Sequence, residues 1–207
     1  DFDAALCGGL RTGSYLLIGM GGEGKTTLIG QMAAYVAATR GPVLFAEKEE
    51  SRAAMRDKFI ANLARVSLAK VVAARRGLEG VDVSQDELAA ICKALNALDA
   101  LPLYLYALDD KDSPNTINDL FAVARAMSPR PVLILGDNLG EFQARGNYAP
   151  SDVAGPTREK MVDLRNGAQS LDVPVLTLAH PKGGVAQAKR RMALGDIAGG
   201  ENGGKLC

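Results

Sequence analysis

Residues 19–26 have the types and spacing of a phosphate-binding loop. Gly19, Gly24, Lys25 and Thr26 satisfy the pattern G-x-x-x-x-G-K-[ST], between an apolar run and a segment of helical spacing. Glycines let backbone amides face an anion, the lysine adds charge for the β- and γ-phosphates, and the threonine hydroxyl ligates Mg²⁺. We therefore predict ATP and Mg²⁺ as cofactors. The residues predicted to bind the nucleotide are Gly19, Gly21, Gly22, Glu23, Gly24, Lys25, Thr26 and Thr27.

Asp137 is the candidate for a second magnesium residue beside Thr26. Mg²⁺ is octahedral and keeps several waters, so a carboxylate is needed to hold its water shell. Asp137 follows the apolar run 132–136, and a strand ending there would deliver the carboxylate beside the phosphate loop. The alternative is an aspartate that only begins a turn before Asn138.

Three glutamates are candidates for the residue that positions or activates the attacking water. Glu47, Glu49 and Glu50 all follow the apolar run 43–46. Hydrolysis needs such a group near the γ-phosphate. Spacing alone does not choose among the three, and a charge cluster at a strand end is usually a solvated turn.

Short apolar runs alternate with longer segments of helical spacing, which predicts an α/β fold: a mainly parallel sheet with helices on both faces. The predicted strands are 15–18, 43–46, 103–107, 132–135 and 173–178. The predicted helices are 25–39, 52 to about 74, 86–98, 114–127 and 157–170. Ser84 with Glu87 predicts a capping box, and Ser113 with Pro114 predicts a helix start. Segments 138–155 and 181–204 are predicted loops at the carboxyl edge of the sheet, where such folds bind ligands.

Length and composition predict one soluble domain. The chain has 207 residues, 47% of them apolar, and 24 basic residues balance 24 acidic ones. Three widely spaced cysteines and one histidine argue against a disulfide scaffold or a zinc site. No apolar run is long enough to span a membrane, so we expect a cytoplasmic protein without membrane contact. The chain starts without methionine, and we expect it to be part of a longer protein.

The chain resembles the C-terminal RecA-like ATPase domain of hexameric replicative helicases of the DnaB type. The resemblance extends over essentially all 207 residues, and the phosphate loop is its most specific part. The other segments that carry it are Leu6, Gly8-Gly9-Leu10, Gly13, Val43-Leu44-Phe45, Lys48-Glu49-Glu50-Ser51-Arg52, Pro102-Leu103-Tyr104, Thr116-Ile117, Arg125, Asp137 with Leu139, Arg158-Glu159 and Val173-Pro174-Val175.

This resemblance implies roles for two residues that spacing leaves open. Its register over Lys48–Arg52 selects Glu49 as the catalytic glutamate, together with Lys25 of the phosphate loop. Bacterial members typically end the fifth strand in Ser-Gln, a proposed γ-phosphate sensor. Here the chain has Ala179-His180, as in phage-type ring helicases, so His180 is the expected sensor. A purely structural histidine is the alternative.

Single-stranded DNA is the expected partner of the last predicted loop. Segment 181–205 has five basic and two acidic side chains, a local net charge of 5 − 2 = +3. A family loop that contacts DNA reads Asp-Leu-Arg-Glu-Ser-Gly, whereas this chain has Ala198 in place of the arginine. A solvated loop without DNA contact is the alternative. The residues expected to bind DNA are Lys182, Lys189, Arg190, Arg191, Gly199 and Gly200.

The family resemblance implies an ATP-driven motor that moves on single-stranded DNA as a homohexameric ring. A helicase loader or a primase is a further partner that it implies. It also implies that an N-terminal domain and a distal C-terminal segment lie outside this chain. Two other functions stay open: a RecA-like recombinase or switch ATPase that does not unwind DNA, and a nucleotide-binding module without motor activity.

Overall fold

A computed structural model of the protein describes residues 8–149, 151–152 and 154–181. These ranges form one parallel sheet covered by helices on both faces, so the predicted α/β class is confirmed. The strands are β1 Gly13–Ile18, β2 Val43–Glu47, β3 Leu103–Tyr106, β4 Leu133–Asp137 and β5 Pro174–Ala179. The helices are α1 Lys25–Thr39, α2 Arg52–Ala64, α3 Leu68–Arg76, α4 Gln85–Asp99, α5 Ile117–Ala126 and α6 Gly155–Leu171.

The order of strands across the sheet is β1-β5-β4-β2-β3, and every neighbouring pair is parallel. This order places β5 and β4 between β1 and β2, which are consecutive along the chain. In register, Ile18 faces Ala179 and Glu47 faces Asp137. The carboxyl ends of β1, β5, β4 and β2 therefore meet at one edge of the sheet.

Alternate residues of the central strands build two cores. Leu44 and Ile134 pack on one face against α5 and α6, whereas Phe45 and Leu135 pack on the other against α1 and α2. These four side chains are fully buried. Burial on both faces explains why the strands appear in the sequence as continuous apolar runs. The result is a rigid support for the residues at the carboxyl edge.

The single helix predicted from residue 52 to about 74 is wrong, because the structure has α2 and α3 there. Arg65 ends α2 in a left-handed conformation, with φ of 55°, and its amide bonds back to Ala61 and Asn62. The hydroxyl of Ser67 then caps α3 by accepting from the amide of Lys70. Both segments have helical spacing, so periodicity alone did not reveal the break.

The predicted start of α5 at Ser113-Pro114 is also wrong. Thr116 is the cap: its hydroxyl accepts from the amide of Asp119, whose carboxylate accepts from the amide of Thr116. This reciprocal pair satisfies two amides that a helix start otherwise leaves without partners. The capping box predicted at Ser84 and Glu87 is confirmed. Within the described ranges, no helix is both long and apolar enough to cross a membrane.

Candidate functional site

The phosphate loop joins β1 to α1 at the carboxyl edge. Gly22 and Gly24 both have φ of 81°, and an added Cβ at either position would meet no atom within 4 Å. The backbone conformation, rather than crowding, therefore favours glycine there. Gly19 differs, because its Cβ would lie 2.7 Å from Oε2 of Glu23. The loop thus combines left-handed glycines with one position, Gly19, where an added Cβ would require the flexible Glu23 side chain to shift.

Lys25, the first residue of α1, places its ammonium against the loop. Its Nζ donates to the carbonyl oxygens of Gly19 and Met20, both at 2.7 Å. A positive charge is therefore held at the loop rather than in open solvent. This position suits the predicted contact with the β- and γ-phosphates.

Glu23 and Thr27 lie at the exposed surface of the loop and of the first turn of α1. Oε2 of Glu23 accepts from the amide of Met20 at 2.7 Å. An amide that a carboxylate can reach is also able to donate to a phosphate oxygen. The contact shows that the loop presents at least one amide to an anionic oxygen.

Thr26 and Asp137 are 111 residues apart in the chain and meet at this edge. The Thr26 hydroxyl donates to Oδ2 of Asp137 at 2.6 Å. Asp137 is the last residue of β4 and is almost fully buried. Burial raises the pKa of Asp137, and the hydrogen bond from Thr26 opposes that rise. A hydroxyl beside a desolvated carboxylate is a donor set that fits a small, hard cation.

The described residues contain no cluster of three or more His, Cys, Asp or Glu side chains arranged to hold a metal. This is compatible with the magnesium chemistry of phosphate loops, where one hydroxyl and one carboxylate act together with waters and phosphate oxygens. Thr26 and Asp137 are the residues that would hold such an ion.

The three glutamates after the apolar run 43–46 have different environments. Glu47 is the last residue of β2 and is fully buried. Its Oε1 accepts from the amides of Glu49 and Glu50, at 2.8 and 3.0 Å. Burial, reinforced by the nearby charge of Asp137, raises the pKa of Glu47 to about 8. Glu47 therefore holds the following turn from inside the protein.

Glu49 and Glu50 point to different surroundings. Glu50 forms an ion pair with Lys58 of α2, with Nζ 2.5 Å from Oε1. The side chain of Glu49 is 38% exposed, and its Oε1 lies 3.2 Å from Nε2 of His180. Of the three carboxylates, Glu49 alone combines exposure with proximity to the predicted sensor. The catalytic role of Glu49 that the family resemblance implied stays a prediction.

Asn138 is a site residue that sequence reasoning missed. It follows Asp137, is almost fully buried, and its Nδ2 donates to Oε1 of Glu49. The sequence shows only an asparagine at the start of a polar segment, and nothing local connects it to Glu49. The contact depends on the pairing of β2 with β4.

The structure brings Lys25, Thr26, Asp137, Glu49 and His180 to one edge of the sheet. It thereby combines a fixed cation, a candidate magnesium pair and an exposed carboxylate at the edge that carries the predicted phosphate loop. The predicted DNA residues lie outside the described residues; they are Lys182, Lys189, Arg190, Arg191, Gly199 and Gly200.

Comparison with solved structures shows the same fold. One solved ATPase domain superposes with a TM-score of 0.78 at 19% identity, over 97% of this chain and 68% of that one. A DnaB-like replicative helicase, solved in a study of its interactions with primase, also gives 0.78 at 19% identity. That match spans 92% of this chain but only 45% of the helicase. No curated protein gives a match to the sequence.

The sequence itself matches a known domain family. The family described as DnaB-like helicase C terminal domain matches residues 1–200, which is nearly the whole chain. The phosphate loop, the Thr26–Asp137 pair and the parallel sheet order agree with that assignment. The chain therefore belongs to the DnaB-like helicase C-terminal domain family, whose members are ATP-hydrolysing helicases.

Proposed function

We propose that this domain is a motor that hydrolyses ATP with Mg²⁺ and moves along single-stranded DNA as a ring of six copies. The observation that carries the ATP-hydrolysing part of the proposal is the geometry at the carboxyl edge, whereas the DNA-moving ring is proposed from membership of the family. Lys25 lies against the phosphate loop, Thr26 contacts Asp137 at 2.6 Å, and Glu49 is exposed beside His180. These are the separate parts that phosphoryl transfer to water requires.

Each residue has a distinct part in the proposed reaction. Lys25 moves from the loop carbonyls to the β- and γ-phosphates and offsets their negative charge. Thr26 and Asp137 hold Mg²⁺, which supplies further charge neutralisation when bound. Glu49 orients the attacking water and accepts its proton, because it is an exposed carboxylate at this edge. His180 senses the γ-phosphate from the end of β5.

The loop backbone completes the proposed nucleotide site. Gly21, Gly22 and Gly24 have room around their α-carbons, so phosphate oxygens can approach the backbone closely. The amide of Met20 becomes available to a phosphate when the Glu23 carboxylate leaves it. Thr27 lies on the exposed first turn of α1, where it can contact the nucleotide.

DNA binding is proposed for the basic segment 181–205. In a ring, each subunit would add its positive charge around one channel, so a modest charge per chain would produce a steep salt dependence through counterion release. Gly199 and Gly200 would allow backbone amides to contact phosphates although Ala198 replaces the family's arginine. Such contacts are independent of base sequence.

A triple substitution tests this segment. Replacing Lys189, Arg190 and Arg191 together with alanine should weaken single-stranded DNA affinity about tenfold or more and flatten its salt dependence. ATP turnover without DNA should stay unchanged. Fluorescence anisotropy at several salt concentrations measures both the affinity for single-stranded DNA and its salt dependence.

The matched control replaces three exposed basic residues elsewhere, Arg76, Lys93 and Arg130, with alanine. This control removes the same formal charge and should leave the salt slope close to that of the parent. An unchanged slope in the 189–191 variant would show that DNA binds elsewhere or not at all.

Other proteins are proposed partners of the complete helicase. One of the similar structures was solved in work on a DnaB-like replicative helicase and its interactions with primase. We propose a primase or a helicase loader as the corresponding partner here, acting on the assembled ring. Pull-down with the full-length protein tests this directly.

ATP turnover by the full-length protein, with and without single-stranded DNA, tests the proposed motor. We expect DNA to stimulate turnover and a forked duplex to be unwound in an ATP-dependent manner. Stimulation without unwinding would favour a recombinase or switch ATPase. Nucleotide binding without turnover would identify a binding module and refute the motor.

A further inference from the structure

We infer that Asn138 is a positioning residue that holds the Glu49 carboxylate in place for hydrolysis. This inference rests on the proposed catalytic role of Glu49. The two residues are 89 positions apart and meet because β2 and β4 are neighbours. Neither the phosphate-loop pattern nor the family resemblance assigns a function to Asn138.

Both ends of the Asn138 amide are engaged. Its Nδ2 donates to Oε1 of Glu49, and its Oδ1 accepts from the amide of Gly140 at 2.6 Å. Because Oδ1 accepts from the backbone amide of Gly140, the NH₂ group of the same side chain points the other way, toward Glu49. The side chain is almost fully buried, so water does not compete strongly for these groups.

The backbone that carries Asn138 is itself anchored. Asn138 caps the short 3₁₀ turn Leu139–Glu141. Lys160, a buried residue of α6, donates from Nζ to the carbonyl oxygens of Leu139 and Gly140, at 3.1 and 3.0 Å. The buried ammonium of Lys160 therefore anchors the turn through two of its carbonyl oxygens. The side-chain amide of Asn138 is therefore carried by an anchored turn rather than by a free loop.

Glu49 needs such support because its side chain is partly exposed and has three rotatable bonds. Restricting a glutamate to one rotamer costs conformational entropy, which a preformed hydrogen bond offsets. Within the described ranges, Asn138 and His180 both contact Oε1. This arrangement leaves Oε2 able to accept a proton from a water. Asn138 thus orients the carboxylate without occupying its second oxygen.

Two substitutions separate the Glu49 contact from the local cap. In Asn138→Ser, the hydroxyl can still cap the turn but is too short to reach Glu49. In Asn138→Asp, the cap oxygen is kept while the donor becomes a repelling carboxylate. We expect kcat for ATP to fall about tenfold in the serine variant and further in the aspartate variant. KM should change less than about threefold, as expected for an interaction that acts on the chemical step.

Asn96, exposed on α4, provides the matched controls Asn96→Ser and Asn96→Asp, which should retain the parent kcat. A double-substitution cycle then identifies the route of the effect. If Asn138 acts through Glu49, Asn138→Ser should cause no further loss of turnover in a Glu49→Gln background. The inference would be overturned if Asn138→Ser lowered kcat by the same factor in the Glu49→Gln background as in the parent. It would also be overturned if both Asn138 variants had a parent-like kcat.

The single histidine of the chain offers a readout independent of turnover. The ring NMR signal of His180, 3.2 Å from Glu49, should move in Asn138→Ser and stay still when Glu49 is already alanine. Equal movement in both backgrounds, or none in either, would contradict positioning through Glu49. This measurement needs no nucleotide. If the parent protein fails to hydrolyse ATP, the proposed function fails while the NMR result still decides the Asn138 contact.

Discussion

The phosphate loop and the acidic segment 47–50 lie at the same edge of the sheet, yet they position their charged groups differently. In the loop, Lys25 contacts carbonyls five and six residues away, so its placement is local. In the acidic segment, Glu47 is buried, Glu50 pairs with Lys58, and Glu49 faces His180 from 131 residues away. Three carboxylates within four residues therefore have three different environments.

The difference follows from where β2 ends. Glu47 is the last strand residue and is paired with Asp137, which places its side chain inside the protein. Two residues later the chain has left the strand, and Glu49 reaches solvent. The environment of each glutamate in this segment therefore depends on its distance from the end of β2, whereas the phosphate loop is built from contiguous residues.

The largest expected effect is loss of the loop cation. Lys25→Ala should reduce ATP affinity and turnover by at least about 100-fold, because backbone amides alone cannot replace a charge on the β- and γ-phosphates. Calorimetry and steady-state turnover measure both losses. The control Lys93→Ala changes an exposed lysine on α4 and should be silent. Undiminished turnover in Lys25→Ala would refute the nucleotide site.

The second-largest expected effect is on hydrolysis, and it distinguishes Glu49 from Glu50. Glu49→Gln should retain ATP affinity and lose about 100-fold or more in kcat, since glutamine cannot accept the proton of the attacking water. Glu50→Gln should have a mild effect, because the Glu50 carboxylate is already engaged in an ion pair with Lys58. If Glu50→Gln lost activity while Glu49→Gln kept it, the assignment along this segment would be wrong.

A smaller effect is expected at the end of β5. His180→Ala should slow hydrolysis about tenfold while changing ATP affinity less, because a sensor contacts the γ-phosphate mainly on the way to the transition state. The melting temperature should be unchanged. A structural histidine would give the opposite pattern, a lower melting temperature with a normal rate. Both quantities are measured on the same purified variant.

The mildest effect on turnover is expected for Glu47→Gln, which instead changes the pH dependence of stability. The pKa of Glu47 rises from 4.5 to about 8 on folding, so its protonated form is favoured in the native state. The contribution of Glu47 to the free energy of unfolding is fully present below pH 4.5 and is lost as the pH rises toward about 8. Each pKa unit corresponds to about 1.4 kcal/mol.

Glutamine cannot ionise, so Glu47→Gln should gain stability over the parent as the pH rises from about 5 to about 8.5. Denaturant unfolding at both pH values measures the free energy of unfolding. Glu79→Gln, at an exposed position, should show no such trend. A parallel pH dependence in Glu47→Gln and the parent would contradict the raised pKa.

The extent to which sequence predicted this molecule depended on how local each feature is. The bounds of α1 and the capping box at Ser84 were predicted correctly, because spacing and capping residues lie within one helix. The break at Arg65 was not, since a left-handed arginine has no reliable signature. The start of α5 moved from Ser113 to Thr116, where Asp119 completes a reciprocal cap.

Whether a site residue could be predicted also depended on how much of its environment is visible in the neighbouring sequence. Asp137 was predicted from the end of an apolar strand, and the structure places it against Thr26. The choice of Glu49 required the family register, because three neighbouring glutamates are equivalent by spacing alone. Asn138 could not have been predicted, since its contact with Glu49 depends on which strands are neighbours.

The nucleotide retained by two variants tests the central claim, that Glu49 rather than Glu47 carries out hydrolysis at this phosphate loop. Each variant is incubated with ATP and Mg²⁺, separated rapidly from free nucleotide, and its bound nucleotide is identified by chromatography. We predict ATP in Glu49→Gln and ADP in Glu47→Gln. ADP in Glu49→Gln together with ATP in Glu47→Gln would contradict the account.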